Sequence, residues 1–318
     1  MYDKDSGAFN THRATVREDV SIAYVHEGIG GVPILLLHGW PGSKRLWWRN
    51  IGPLAAMGFE VIVPDQRGFA DSGPSPAGPL DVPASARDMQ ALVKLLGHDQ
   101  CIVAGGDMGS TVAIDMSLRF PGFVQRQLLF NGATPHLPDL YKDAGLARTS
   151  QVEEIMKISD HLTLHGAKAD ELTAQLDTAE KRRNYVAGFF TGRKWREGGP
   201  VINLAGPGNF DADSARFLAE SFEDVRTFRA SLGFYEGFFG GADKSSEAAI
   251  IDRRIEVETM ILWGMEDEIV GSYFPQQLAV ACRNHIGPFF IEKTGHFVQW
   301  EAADIFNNAL RIFCRDLL

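Results

Sequence analysis

Short apolar runs alternate with amphipathic stretches along the first part of the chain. Residues 15–25 alternate apolar and polar positions as a strand does. Val32 to Leu37 is a continuous apolar run closed by a turn, the pattern of a strand buried on both faces. Residues 43–57 read as a helix with Ser43 as its N-cap. Glu60 to Val63 is the next strand, ending at Pro64. Residues 84–96 carry a helical period stopped by Gly97. Cys101 to Ala104 forms a short buried strand, 109–120 a helix stopped before Pro121, and Val124 to Phe130 a further strand. The alternation predicts an α/β fold: a mostly parallel sheet with helices on both faces.

The character then changes. Residues 133–250 show helical patterning and loops with no convincing strand. Strand–helix alternation resumes at Val257 to Trp263, continues through Phe289 to Ile291 and closes with a helix at 302–316. The simplest division is one core domain, 1–132 plus 251–318, with a helical cap inserted at 133–250. An insertion at the carboxyl edge of a parallel sheet would roof the crevice where such proteins bind ligands. Seven phenylalanines between 210 and 239, Phe238 and Phe239 among them, predict an apolar cap core packed on that pocket.

Composition narrows the partners. The 318 residues carry 31 basic and 41 acidic side chains, a net charge of −10. Such a surface repels phosphate backbones and anionic membranes, so neither nucleic acid nor membrane is an expected partner. The longest strongly apolar stretch, Ile34 to Leu37, is far short of the roughly 20 residues a membrane-spanning helix needs. The charged N-terminus carries no apolar segment of a signal peptide. Cys101, Cys282 and Cys314 lie far apart in apolar runs, which reads as buried thiols in a reducing cytoplasm. A monomer or homodimer is expected.

Five motifs carry candidate chemistry. Gly105-Gly106-Asp107-Met108-Gly109 sits between a buried strand and the helix beginning near Ser110. A turn that tight strains its central residue and requires small flanks, because the chain crosses itself closely. The plainer reading is a glycine-rich turn whose Asp caps the next helix. His38-Gly39-Trp40-Pro41-Gly42 follows an earlier strand, and Gly295-His296-Phe297 follows a late one. Trp263-Gly264-Met265-Glu266-Asp267-Glu268 offers three acids after another strand. The run Asp65 to Ser72 reads as a structural loop in which Asp65 and Arg67 pair locally.

Together these motifs resemble the α/β-hydrolase fold, and more narrowly its epoxide hydrolase and haloalkane dehalogenase branch. The resemblance covers nearly the whole chain and is weakest in the inserted segment; Ala70 stands where the family usually has Gly. It implies that Asp107 is the nucleophile at an elbow where serine hydrolases carry Ser, and that His296 is the general base. It implies Asp267 as the acid that orients the imidazole, with Glu266 and Glu268 as alternatives. The backbone N–H groups of Trp40 and Met108 would form the oxyanion hole, and the Trp40 side chain would line the pocket.

An aspartate nucleophile attacks saturated carbon and becomes an ester, which water activated by His296 must then cleave. The implied reaction converts an epoxide and water to a vicinal diol, with no cofactor. A haloalkane or haloacid dehalogenase using the same Asp107–His296 pair is the alternative. It is disfavoured by Met108 where such enzymes usually carry Trp, by Trp40 where many carry Asn, and by Ser110-Thr111-Val112 where fluoroacetate dehalogenases place arginines. A non-catalytic binding protein is a third reading, although it has no reason to keep nucleophile, base and acid together. A serine esterase is disfavoured because Ser110 lies three positions past the apex.

An epoxide oxygen needs a proton donor, and the family supplies it from the cap, typically with two tyrosines. Tyr235 resembles the second of these; its alternative is a plain apolar stripe with Phe217, Val225, Phe228 and Leu232. For the first donor, His161 in Asp160-His161-Leu162-Thr163-Leu164-His165 resembles a subset of bacterial epoxide hydrolases with His at that place, and His165, Tyr141 and Tyr185 are alternatives. Trp40, Phe234 and Tyr235 are the expected contacts to a small apolar epoxide. The His161–His165 spacing lacks the Glu and third ligand of a zinc site, so no metal is expected.

Overall fold

The apolar runs assemble into one eight-stranded sheet in the order β1-β2-β4-β3-β5-β6-β9-β10. A computed structural model of the chain describes residues 4–74, 80–146, 159–194, 198–199, 201–239, 247–271 and 273–318; the side chains of Phe238 and Phe239 lie outside the described set. The strands are β1 (Thr11–Arg17), β2 (Val20–Glu27), β3 (Val32–Leu37), β4 (Phe59–Pro64), β5 (Cys101–Asp107), β6 (Val124–Gly132), β9 (Glu258–Gly264) and β10 (His285–Ile291). From β4 to β10 along the sheet, all neighbours are parallel; β2 pairs antiparallel with both β1 and β4. Ile34 to Leu37 and Cys101 to Ala104 are fully buried, as strands covered on both faces must be.

The expected single strand at 15–25 is a hairpin. Glu18 adopts a positive φ of 36° between β1 and β2, so the chain turns back there. The helix expected at 43–57 begins as a 3-10 turn, Lys44–Trp47, capped by Ser43, and continues as α1 (Trp48–Ala56). Helix α2 (Val82–Leu95) starts two residues early because Asp81 Oδ1 accepts the Ala84 N–H at 2.9 Å. Helix α3 is Met108–Arg119. The closing helix is split at Ala302 into α12 (Val298–Glu301) and α13 (Ala303–Phe313).

Between β6 and β9 the described residues add no strand to the main sheet. They form α4 (Pro138–Asp143), α5 (His161–Ala167), α6 (Ala169–Gln175), α7 (Ala179–Thr191), α8 (Ala212–Ala219), α9 (Val225–Ser231) and α10 (Gly233–Phe239). They also include a two-residue antiparallel ribbon, β7 (Arg193–Lys194) with β8 (Val201–Ile202), that the hydropathy pattern does not reveal. Helix α10 packs on α5, and α7 on α8. Helix α11 (Phe274–Ala281) lies between β9 and β10.

The local Asp65–Arg67 pair is replaced by two longer-range ones. Asp65 accepts both the Lys44 backbone N–H at 2.7 Å and the Lys44 ammonium at 2.6 Å. Arg67 instead forks onto Asp88 of α2 at 2.7 and 2.8 Å, an arrangement that satisfies both buried charges. All three cysteines are buried and free. Among the described residues no helix is long and apolar enough to cross a membrane. Strand β3 lies between β4 and β5, so the chain moves to one side of β3 and returns on the other. The carboxyl ends of β3 and β5 thus open a topological switch point, where open α/β sheets bind ligands.

Candidate active site

The loops after β3 and β5 meet because Leu37 and Gly105 are register partners. At the end of β5, Asp107 has φ 52° and ψ −131°, a backbone region costly for any residue with a Cβ. The crossing leaves no room beside it: a Cβ on Gly105 would stand 2.6 Å from Gly109 O, and one on Gly109 would stand 2.4 Å from Leu37 O. Asp107 makes no side-chain capping bond to α3, so the plain N-cap reading fails.

Its two oxygens face different partners. Oδ1 accepts the Trp40 N–H at 2.8 Å, and the Met108 N–H also supports the carboxylate. Oδ2 lies 3.3 Å from His296 Nε2, near enough for charge attraction but outside hydrogen-bond alignment. Burial pushes the Asp107 carboxyl up, yet His296 and the two N–H groups outweigh it and hold the acid below its ordinary value. The Asp107 side chain keeps 28% of its surface accessible, against 2% for His296.

Behind the imidazole, His296 Nδ1 lies 2.7 Å from Asp267 Oδ2. Asp267 Oδ1 accepts the N–H groups of Ile269 and Val270, both at 3.0 Å, which leaves Oδ2 aimed at the ring. Burial alone would lower the histidine; Asp267 and Asp107 on either side reverse that and raise it to about 10. The alternative acids lie elsewhere: Glu266 is exposed, and Glu268 Oε2 accepts the Asn203 N–H at 2.6 Å.

A residue missed at the sequence level joins this group. Asn131, fully buried at the end of β6, exchanges hydrogen bonds with the Gly264 backbone at 2.8 and 3.1 Å and donates to Asp267 Oδ2 at 3.1 Å. Its φ of 32° is one that Asn tolerates better than most residues. A buried polar residue ending an apolar strand was the available signal.

Within electrostatic reach of Asp107 is an aromatic group from the residues between β6 and β9. The Tyr235 ring lies edge-on to Trp40 at 5.8 Å, to His161 at 5.9 Å and to His165 at 4.6 Å between centroids. Burial and then the Asp107 charge push the Tyr235 phenol well above its ordinary value, so it stays protonated. His161 is also within electrostatic reach of Asp107 and His296; burial drives it down to about 3, so it is neutral at physiological pH. Its Nδ1 is bonded to Ser159 Oγ.

The other candidates are placed differently. His165 Nε2 pairs with Tyr185 Oη at 2.8 Å, which puts Tyr185 behind His165. Tyr141 is turned away and donates its hydroxyl to Pro135 O. Phe234 packs on Phe69, with centroids 6.2 Å apart. Trp40 is tied to α9 through its indole N–H, which donates to Ser231 Oγ at 3.2 Å. Among the described residues no group of three His, Cys, Asp or Glu side chains is arranged to hold a metal ion.

Comparison with known proteins agrees with this architecture. The chain is 34% identical over 166 residues to the soluble epoxide hydrolase of Corynebacterium sp. (strain C12), a match spanning 52% of this chain and 54% of that protein. It is 25% identical over 308 residues to 2-hydroxy-6-oxononadienedioate/2-hydroxy-6-oxononatrienedioate hydrolase 1 of Pseudomonas putida, covering 93% and 92% of the two chains. Among solved structures it superposes on the ligand-free epoxide hydrolase CorEH with a TM-score of 0.77 at 24% identity, covering 98% of this chain and all of that one. An epoxide hydrolase from an endophytic Streptomyces matches with a TM-score of 0.73 at 20% identity, over 98% and 97% of the two chains. A family profile described as alpha/beta hydrolase fold matches residues 32–303. With its mostly parallel eight-stranded sheet and that match over most of its length, the chain belongs to the α/β-hydrolase fold family.

Proposed function

We propose that the protein is an epoxide hydrolase that opens a small apolar epoxide to a vicinal diol through an ester on Asp107. The observation that carries this reading is the division of labour between the two Asp107 oxygens. Oδ1 is held by the Trp40 backbone N–H, so Oδ2, the oxygen facing His296, is the one to attack an epoxide carbon. The C–O bond of the ring breaks as the ester bond forms, and the departing oxygen takes a proton from the Tyr235 hydroxyl, with His161 as the second hydrogen-bond partner.

Ester formation removes the negative charge of Asp107. The resting imidazole owes part of its raised value to that charge, so alkylation lowers its proton affinity. The imidazolium gives its proton to solvent, and the neutral His296 then takes a proton from a water whose oxygen attacks Cγ. Negative charge develops on Oδ1, where the Trp40 N–H already points, with the Met108 N–H also on this carboxylate. The tetrahedral species collapses, and Oδ2 leaves with the diol as that oxygen takes the proton of the imidazolium that Asp267 has stabilised. Loss of the carboxyl proton, together with return of protons from solvent to the Tyr235 phenoxide and His296, restores the resting site. Similarity to named epoxide hydrolases supports the reading. So does Ser110, whose hydroxyl donates to Asp107 O at 2.6 Å rather than occupying the apex.

The test is a panel of styrene oxide and 1,2-epoxyalkanes run beside haloalkanes, followed by one turnover in oxygen-18 water. Diol without halide release is expected, with first-turnover product unlabelled and the label in Asp107. Halide release in place of diol would favour a dehalogenase, and label directly in the first diol would remove the ester.

A further inference from the structure

Opposite the nucleophile, the loop carrying His296 is held by a carboxylate that the chemistry above does not use. Glu301 ends the four-residue helix α12 and is partly buried. Its Oε1 accepts the Phe297 N–H at 2.8 Å. Its Oε2 accepts the Gly295 N–H at 2.9 Å, the Gly206 N–H at 2.7 Å and Asn209 Nδ2 at 2.7 Å. Two of these donors flank His296 in sequence, and two come from the insertion. One carboxylate therefore grips the base-bearing loop on both sides of the histidine and ties it to residues 206–209.

The surrounding backbone is too close to offer a substitute. The His296 N–H donates to Leu204 O at 2.8 Å. A Cβ on Gly295 would stand 2.1 Å from Leu204 O and 2.6 Å from Gly206 N. On the other side, the Glu266 N–H donates to Thr294 O at 2.8 Å, joining the loop of Asp267 to the loop of His296. Three chain passes thus cross at His296, and Glu301 supplies the acceptors for N–H groups that would otherwise be left unmet. Four donors on one carboxylate is a large share of its acceptor capacity, so the geometry tolerates little rotation. An imidazole whose Nε2 stands 3.3 Å from Asp107 but off the hydrogen-bond line depends on such a frame for its aim.

We infer that Glu301 is a positioning residue for the second half of the reaction: it aims His296 at the water that cleaves the Asp107 ester and couples that aim to the inserted segment. The inference rests on the proposed ester chemistry. Ring opening uses Asp107 and the donors facing it, whereas ester cleavage uses His296. Loss of the Glu301 clamp should therefore separate the two steps, which general weakening of the fold would not do.

The experiment is single-turnover rapid quench on wild type, Glu301→Gln and His296→Gln, using the epoxide of the panel above that turns over fastest, with ester followed by intact mass and diol by release. Glutamine keeps the shape but turns one acceptor into a donor facing N–H groups. Ester formation in Glu301→Gln should stay within about threefold of wild type, while ester cleavage slows about ten- to a hundredfold and a substrate-mass adduct accumulates on Asp107. Equal slowing of both steps, or unchanged cleavage, overturns the role. If Glu301→Gln does not fold, Asn209→Ala, which removes one donor on the insertion side, should show the same split at smaller size; its absence there overturns the role as well. His296→Gln separates the two failures. If it traps no ester, the proposed chemistry is wrong; if it traps ester and the Glu301 variant does not, only the positioning role falls.

Discussion

Asp107 combines a strained backbone that projects it with a Trp40 N–H on Oδ1 and the His296 imidazole 3.3 Å from Oδ2. In the proposed chemistry its partner His296 acts only after the ester has formed. His296→Gln should therefore still open the ring, while ester cleavage falls by about 10²–10⁴-fold, the usual size of a general base. Mass spectrometry of the Asp107 peptide reads this directly, and full diol turnover without adduct would remove His296 from that role. Tyr235→Phe removes a buried phenol that feels the Asp107 charge and keeps the ring that packs on Trp40. It should slow ester formation about 10²-fold, by analogy with the loss of one donor to a developing oxyanion. His161→Phe should slow the same step. Because His161 is driven to about 3 and is neutral throughout the working range, its loss should leave the shape of the pH profile above pH 5 unaltered, which a pH series on that variant measures.

At the scale of elements, Asp107, Asp267 and His296 come from the ends of strands or the loops after them, while His161 and Tyr235 come from helices α5 and α10. Strand β5 delivers Asp107, the loop after β3 delivers the Trp40 N–H, the loop after β9 delivers Asp267, and the loop after β10 delivers His296. Asn131 ties the end of β6 to that of β9, so the acid is fixed by a neighbouring strand as well as by its own loop. The helices around the sheet have a separate function, which is stability. Asp81 caps α2 by accepting the Ala84 N–H at 2.9 Å. Asp81→Ala should cost about 1 kcal/mol in urea unfolding with the kinetics of ester formation unchanged. A loss of activity larger than the loss of stability would show that α2 does more than support β5.

The whole molecule places a histidine between two carboxylates, and this makes stability depend on pH. His296 is raised from 6.5 to about 10, so its contribution is fully present below pH 6.5 and is lost as pH rises toward 10. Asp107 is held below its ordinary value of 3.8, so its contribution is present above that value and lost as pH falls through the lowered one. Both are complete between about pH 4 and 6.5. The thermal midpoint of the wild type should therefore fall between pH 6.5 and 10 more steeply than that of His296→Gln. Equal slopes would mean that the imidazolium is not held between the two acids.

Hydropathy periods by themselves determined the strand–helix alternation and, through small residues at 105 and 109, the tight turn with Asp107 at its apex. These are local properties, set by burial on one or both faces and by the space available within a few residues. Features that needed a partner distant in sequence were decided only in three dimensions. Glu18 turns 15–25 into a hairpin although no glycine marks the turn. Asp65 and Arg67, two residues apart, take Lys44 and Asp88 instead of each other. Tyr141 lies soon after β6 yet donates to Pro135 O, whereas the rings of His161 and Tyr235, 74 positions apart, meet edge-on. Among the three acids of one loop, the family resemblance preferred Asp267, and its hydrogen bonds with His296 and Asn131 set it apart from Glu266 and Glu268 in three dimensions. Spacing along a chain records which residues are near one another locally; which of them share a buried charge or a hydrogen bond depends on the order in which the strands lie side by side.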